Sequence, residues 1–319
     1  MRRLLTVLTA GLILAVASLG VGPAMAAAPL EAYGRLQSMD SVAISPDGTM
    51  IAFIVTAEAG NDRFIVVQPL GGTPIQTATI GFRKVRYIKW AGPDHVVIVT
   101  STTDVVPGVF YTGEMFQGAS LNVRTGKMAR LPARSAESVV NVLMGNVQPG
   151  MIGGKPSVLT GLFVADGKSV RTANDRLDLY AIDLDTGIAH RQQMGDTDTR
   201  AYLARNDGTP LAKISQRDRE GNSQWTLSLR KGSSWQDVYS VTAPIETPDL
   251  FGITRDGSKL VVDSLDEATR SWRLTYLDIA TGKLGDYVGA SGQASVVTDD
   301  DAVVLGYATQ DGFVDYDFT

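Results

Sequence analysis

The chain has no cysteine. That excludes a disulfide scaffold, a thiolate metal site and a cysteine nucleophile. It has two histidines, His95 and His190, in 319 residues, which leaves little material for an imidazole base or a histidine metal cluster. Basic runs and aromatic-basic interleaving are also missing. The formal net charge is −5, so the chain gains no electrostatic attraction to nucleic acid or anionic lipid. Beyond the first 26 residues it shows no helix-period segment of any length except Pro29 to Leu36, which reads as one short helical or extended lead-in. What it has in excess is glycine: 33 residues, about 10% against a usual ~7%.

Residues 1–26 read as a secretory signal peptide. Arg2 and Arg3 form the positive start, Leu4 to Leu19 the apolar stretch, and Ala24-Met25-Ala26 the small residues before a cut expected at Ala26/Ala27. Thr6, Thr9, Gly11 and Ser18 interrupt the stretch, which is short for a membrane span of about 20 residues. Removing the segment takes the net charge to −7. The expected location is periplasmic or secreted, with no membrane attachment after cleavage. A lead-in follows at 27–39.

From residue 40 the sequence reads as short strands rich in Val, Ile, Thr and aromatics, broken by Gly, Pro, Asp and Asn. Examples are Ile51-Ala-Phe-Ile-Val-Thr56 and His95-Val-Val-Ile-Val-Thr100. The glycines fall into two periodic series. Turns that open a strand lie at Asp47, Asp94, Gly150, Asp207, Asp256 and Asp300, spaced by 47, 56, 57, 49 and 44 residues. Turns that close a strand end at Gly72, Gly126, Gly187, Gly232 and Gly282, spaced by 54, 61, 45 and 50. The two series interleave strictly. A repeat of three or four short strands with that period is a β-propeller blade. One twisted sheet has two apolar faces and cannot bury both alone; stacked blades bury them against each other.

The expected fold is therefore all-β: an incomplete β-propeller over 40–319. Its blades are expected at approximately 40–82, 83–137, 138–194, 195–245 and 246–290, with a partial sixth at 291–319. Blade three carries five glycines and two prolines between Gly145 and Gly161, which predicts a long loop or an irregular hairpin. A sixth unit that stops partway predicts a naked sheet edge, hence self-association through the blade beginning at Ser291, and a natural protein that is longer or a gene product that is truncated.

The start of the mature chain, Leu30-Glu-Ala-Tyr-Gly-Arg-Leu36 followed by Val42-Ala-Ile-Ser-Pro-Asp-Gly-Thr-Met-Ile-Ala-Phe53, resembles bacterial secreted peptidases of the prolyl oligopeptidase family, including acylaminoacyl-peptidase-like and dipeptidyl-peptidase-like members. The resemblance implies a propeller that precedes an α/β-hydrolase domain carrying a Ser-Asp-His triad, and that gates the access of peptides to it. Ser-Pro-Asp-Gly also recurs in TolB-like propellers, so a periplasmic protein-interaction propeller stands as the alternative. The expected partners are peptides or the α/β-hydrolase domain.

No catalytic residue carries over from the family. There is no Gly-x-Ser-x-Gly elbow; Gly289-Ala-Ser291-Gly292 approaches it but has Gln293 where the second glycine is required. His95 and His190 read as turn residues at a blade rim. Gly161 and Gly167-Lys168-Ser169 have five residues between the glycines, where a phosphate-binding loop needs four, and Asp166-Gly167 reads as a hairpin turn. Asp196-Thr-Asp198 and Asp299-Asp300-Asp301 lack the alternating oxygens and later glutamate of a calcium loop. Trp90, Trp225, Trp235 and Trp272 fall at about one per blade and are expected in the core. No catalytic, cofactor or metal residue is assigned, and the chain alone is expected to be inactive.

Overall fold

Successive strands pair with their chain neighbours, and the resulting sheets follow one another along the chain. The computed structural model describes residues 37–57, 62–105, 112–137, 139, 142–164, 176–219, 221–243, 247–288, 294–311 and 313–318, and no helix occurs among them. The signal peptide, most of the lead-in, and the segment 165–175 with Gly167-Lys168-Ser169 lie outside the described residues.

Sheet I comprises β1 (Met39–Ile44), β2 (Met50–Thr56), β3 (Arg63–Pro69) and β4 (Gln76–Gly81). Sheet II comprises β5 (Lys84–Trp90), β6 (His95–Val105), β7 (Thr112–Asn122) and β8 (Met128–Leu131). A short β9 (Arg134–Ser135) joins sheet III, which is built from β10 (Met144–Ile152), β11 (Lys155–Val164), β12 (Arg176–Asp183) and β13 (Ile188–Gln193). Sheet IV comprises β14 (Thr199–Ala204), β15 (Pro210–Arg219), β16 (Asn222–Lys231) and β17 (Ser234–Ala243). Sheet V runs over β18 (Leu250–Thr254), β19 (Lys259–Asp266), β20 (Ser271–Asp278) and β21 (Leu284–Tyr287), and β22 (Ala294–Thr298), β23 (Val303–Asp311) and β24 (Phe313–Phe318) extend it.

All pairings are antiparallel except β9 with β13 and β18 with β23. The second of these is short, Ile253 opposite Val303 and Thr254 opposite Val304. It hydrogen-bonds the last three strands into sheet V. Among the described residues no strand pairing joins sheet V back to sheet I.

The period-2 pattern explains how one strand serves two cores. On β6, Val96 and Ile98 face sheet I in a cluster with Ile54, Ile65, Trp90 and Leu121. Val97 and Val99 face sheet III in a cluster with Val158, Leu162, Tyr180 and Ile182. The part of a strand buried on both faces must be apolar, and residues 96–99 of this one, Val-Val-Ile-Val, are. The same holds onward: Trp225, Leu227 and Leu229 of sheet IV pack on Leu260, Val262 and Leu277 of sheet V. The seam between sheets III and IV is smaller, built around Leu159, Leu179, Ala181 and Ala204.

Two expectations are corrected. Gln148-Pro149-Gly150 is not a turn; it lies within β10, and the turn of that hairpin is Gly153-Gly154, with φ of 57° and 77°. Of the two expectations for Gly145 to Gly161, a long loop or an irregular hairpin, the second holds: β10 and β11 form a hairpin of two long strands with a register shift between Met144 and Gln148. β10 is the edge strand of its sheet, where a proline without an N–H is tolerated. Gly150 is there for close approach: a Cβ on it would lie 2.7 Å from the Asn206 carbonyl oxygen of sheet IV's first turn. In addition, Trp90 and Trp225 are fully buried, but Trp235 and Trp272 are only half-buried. Trp235 lies under the Arg230 guanidinium (5.2 Å) and the Lys213 ammonium (5.6 Å).

Candidate functional site

The first strands of sheets II, III, IV and V, with the turn between β22 and β23, converge on a cavity of about 220 Å³. Its walls are mostly apolar, with Leu159, Leu177, Leu203, Ile214, Leu250 and Phe251 prominent. Its polar lining includes Lys89, Gln148, Thr160, Thr298, Asp299 and Asp300.

Two of these polar groups, Lys89 and Gln148, bond to backbone of neighbouring strands and of the β22–β23 turn. The Lys89 ammonium donates to the Val147 carbonyl (3.3 Å) and the Asp300 carbonyl (3.4 Å), and lies 3.6 Å from an Asp300 carboxylate oxygen. The Gln148 amide nitrogen donates to the carbonyls of Ala204 (2.7 Å) and Asp301 (3.1 Å), while its oxygen accepts from the Ala204 N–H (3.4 Å). Strands distant in sequence are thereby tied: Lys89 and Asp300 are 211 positions apart.

Burial pushes the Asp300 carboxyl up from its ordinary value, and Lys89 opposes this. Burial, then the neighbouring carboxylates of Asp299 and Asp300, pushes Asp301 up as well. The Asp300 side chain remains about half-exposed, so solvent screens much of this effect. Asp299 belongs to the turn: its Oδ1 accepts from the N–H groups of Asp301 (2.9 Å) and Val303 (2.8 Å).

The histidines do not join the cavity. His190 is exposed on β13. His95 corrects the rim expectation: it opens β6, but only 2% of it is exposed. Its Nε2 lies 2.9 Å from Asp185 Oδ1, an oxygen that also accepts from the Asn122 amide at 2.9 Å. His95 thus fastens sheet II to the β12–β13 turn of sheet III. The His95 and Asn122 hydrogen bonds hold the Asp185 carboxyl below its usual range.

The aspartate pairs are engaged in ion pairs. Asp196 accepts from Lys213 at 2.9 Å, and Asp198 from Arg217 Nε at 2.8 Å. No group of three or more metal-ligating side chains occurs among the described residues. Gly161 sits inside β11 and is paired with Leu179. Gly289 to Gly292 lies outside the described residues. Sequence reasoning missed Lys89 and Gln148. Lys89 is one polar position in the alternating Lys84-Val-Arg-Tyr-Ile-Lys-Trp90, and nothing local separates it from Lys84 or Arg86.

No protein-family model matches the chain, and no curated protein matches it. Solved structures do. One is the β-propeller domain of the Trilobed protease from Pyrococcus furiosus, described as having an open velcro topology; it is 13% identical over 88% of this chain and 84% of that one, with a TM-score of 0.44. Another is an acylaminoacyl peptidase in complex with Z-Gly-Gly-Phe-chloromethyl ketone, 14% identical over 88% of this chain and 45% of that one, with a TM-score of 0.45. A prolyl endopeptidase is 13% identical over 85% of this chain and 37% of that one, with a TM-score of 0.45. The chain spans less than half of these two peptidases.

Proposed function

We propose that this chain is the non-catalytic propeller portion of a periplasmic or secreted peptidase of the prolyl oligopeptidase kind, released from its signal peptide at Ala26/Ala27. In that role it stands over an α/β-hydrolase domain and admits only short or extended peptides to it. The supporting observation is the cavity lined by the first strands of sheets II to V. At about 220 Å³ it falls below the 300–1,000 Å³ of ordinary ligand pockets. Among the described residues, the buried polar side-chain atoms left without a partner belong to Asp40, Thr56, His95, Asp178 and Ser223, and none of these lines it. The Lys89 and Gln148 side chains in it are already engaged by backbone carbonyls, and a space this narrow bars wide ligands. That suits a gate better than a receptor.

The reading also rests on the Leu30–Leu36 and Ser45-Pro46-Asp47-Gly48 segments and on the serial sheets. Its test is hydrolysis. Purified full-length protein incubated with aminoacyl and peptidyl p-nitroanilides is expected to release no nitroaniline above background. Activity that persists at constant specific value through repurification would refute a non-catalytic role.

A further inference from the structure

One stretch of the cavity wall is not held in a strand ladder. Every lining residue from sheets II to IV sits on a strand, as do Leu250 and Phe251 of β18 and Thr298 of β22. Asp299, Asp300 and Ala302 do not; they form the β22–β23 turn.

The turn is a unit of its own. The Asp299 N–H donates to the Val303 carbonyl (2.9 Å), and its own carbonyl accepts from the Ala302 N–H (3.3 Å). Its Oδ1 accepts from the N–H groups of Asp301 and Val303. Contacts from three sheets dock this unit. The Ile253 N–H of β18 donates to the Ala302 carbonyl (2.9 Å), Lys89 of β5 holds Asp300, and Gln148 of β10 holds the Asp301 carbonyl.

Two features oppose docking. Ala302 takes a φ of 61°, a left-handed backbone that costs a non-glycine residue energy and that recurs at switch regions. The adjacent carboxyls of Asp299, Asp300 and Asp301 also meet one ammonium among the lining residues, that of Lys89. The other elements offer them no charge. β10 presents Gln148, β18 presents Leu250 and Phe251, and β14 presents the Tyr202 phenol, which burial pushes up, away from ionisation. The remaining lining residues are uncharged.

We propose that the β22–β23 turn is a movable plug: docked, it completes the cavity wall, and undocked, it opens the cavity to solvent. As a regulator of the gate the plug rests on the function proposed above, but its motion is measured without a substrate. pH sets the balance. Burial raises the Asp300 and Asp301 carboxyls in the docked turn. Groups raised in this way favour docking fully below their ordinary value, ~3.9, and stop favouring it as pH rises through the docked value. Acid therefore seats the plug, and ionisation toward neutral pH loosens it.

The absence of cysteine allows single thiols to report the motion. In Thr160→Cys the thiol lies in the cavity wall on β11. In Ser120→Cys it is fully buried against the Leu184 carbonyl of sheet III and does not line the cavity. Both are labelled with a dipyridyl disulfide, which reacts with thiols in acid as well as at neutral pH. Lys89→Met, made in each background, is expected to speed labelling of Thr160→Cys several-fold more than that of Ser120→Cys. Asp301→Asn should slow labelling of Thr160→Cys at about pH 7, and the difference should shrink as pH falls toward about 4. The proteins compared carry the same cysteine, so thiol ionisation cancels. If Thr160→Cys were labelled in step with Ser120→Cys in every variant, unfolding alone would expose the cavity and the proposal would be overturned. A Thr160→Cys rate that Asp301→Asn leaves unchanged at every pH would overturn it too. Nitroaniline release by the purified protein would refute the gate and leave the labelling result standing.

Discussion

Gly252 tests the contact between β18 and the strands that extend its sheet. A Cβ built at this position would lie 2.2 Å from the Ala302 carbonyl oxygen, the same oxygen that accepts a 2.9 Å hydrogen bond from the Ile253 N–H. Ordinary contact requires at least about 3.4 Å, so Gly252→Ala must drive the β22–β23 turn back by roughly 1.2 Å. Both atoms belong to backbone, and no side-chain rotamer relieves the clash. The cost combines a lost buried hydrogen bond, about 1 kcal/mol, with overpacking of about 1–3 kcal/mol. For a chain of this size that lowers the thermal midpoint by roughly 3–7 °C. Gly285→Ala is the control, because its nearest atom is the Tyr276 carbonyl oxygen at an ordinary 3.6 Å and its φ is not positive. It should be neutral, or slightly stabilising through lost chain entropy. Differential scanning calorimetry of both variants decides the matter. Equal midpoints would refute the placement of β23 beside β18.

Three more outcomes are expected. Lys89→Met removes the donor to the Val147 and Asp300 carbonyls and should cost about 1–2 kcal/mol in urea unfolding; an unchanged urea midpoint would contradict the tie between β5, β10 and the β22–β23 turn. Leu121→Ala empties a fully buried position between sheets I and II and should cost about 2–5 kcal/mol by the same measurement. Asp256 is held at about 2 by hydrogen bonds from Thr254 and Ser258. A carboxyl depressed in the fold gives stability above its unfolded value, ~3.9, and loses it as pH falls through the folded value. The midpoint difference between wild type and Asp256→Asn should therefore be constant above about pH 5 and close toward pH 2. Asp300 and Asp301 run the other way, since a raised carboxyl favours the protonated fold. A difference that stays constant with pH would contradict the turn assignment.

The turns were legible because their chemistry is local. At Asp183-Leu-Asp-Thr-Gly187, Asp183 Oδ1 accepts from the N–H groups of Asp185 and Thr186, and Gly187 takes a φ of 69°. Asp278 with Thr281 and Gly282 repeats it, and Asn122 with Thr125 and Gly126 replaces the aspartate by asparagine. A motif that encodes both its acceptor and its positive φ can be read from five residues. Gly150 misled because the same residue type serves a different purpose there, the approach of sheet IV, and its partner lies 56 positions away. His95 was placed at a rim because the sequence shows Pro93-Asp94 before it but not Asp185, 90 positions later. The cavity was illegible for the same reason. Which polar position of β5 or β10 faces it depends on how the sheets are inclined to one another, and no local pattern carries that angle.

The most direct test of the proposed role is to read the coding DNA beyond codon 319. The account predicts a continuing frame, or a frameshifted remnant of one, that encodes Gly-x-Ser-x-Gly followed by the aspartate and histidine of an α/β-hydrolase domain. A clean intergenic stop would contradict it and favour an interaction propeller with a periplasmic partner of its own.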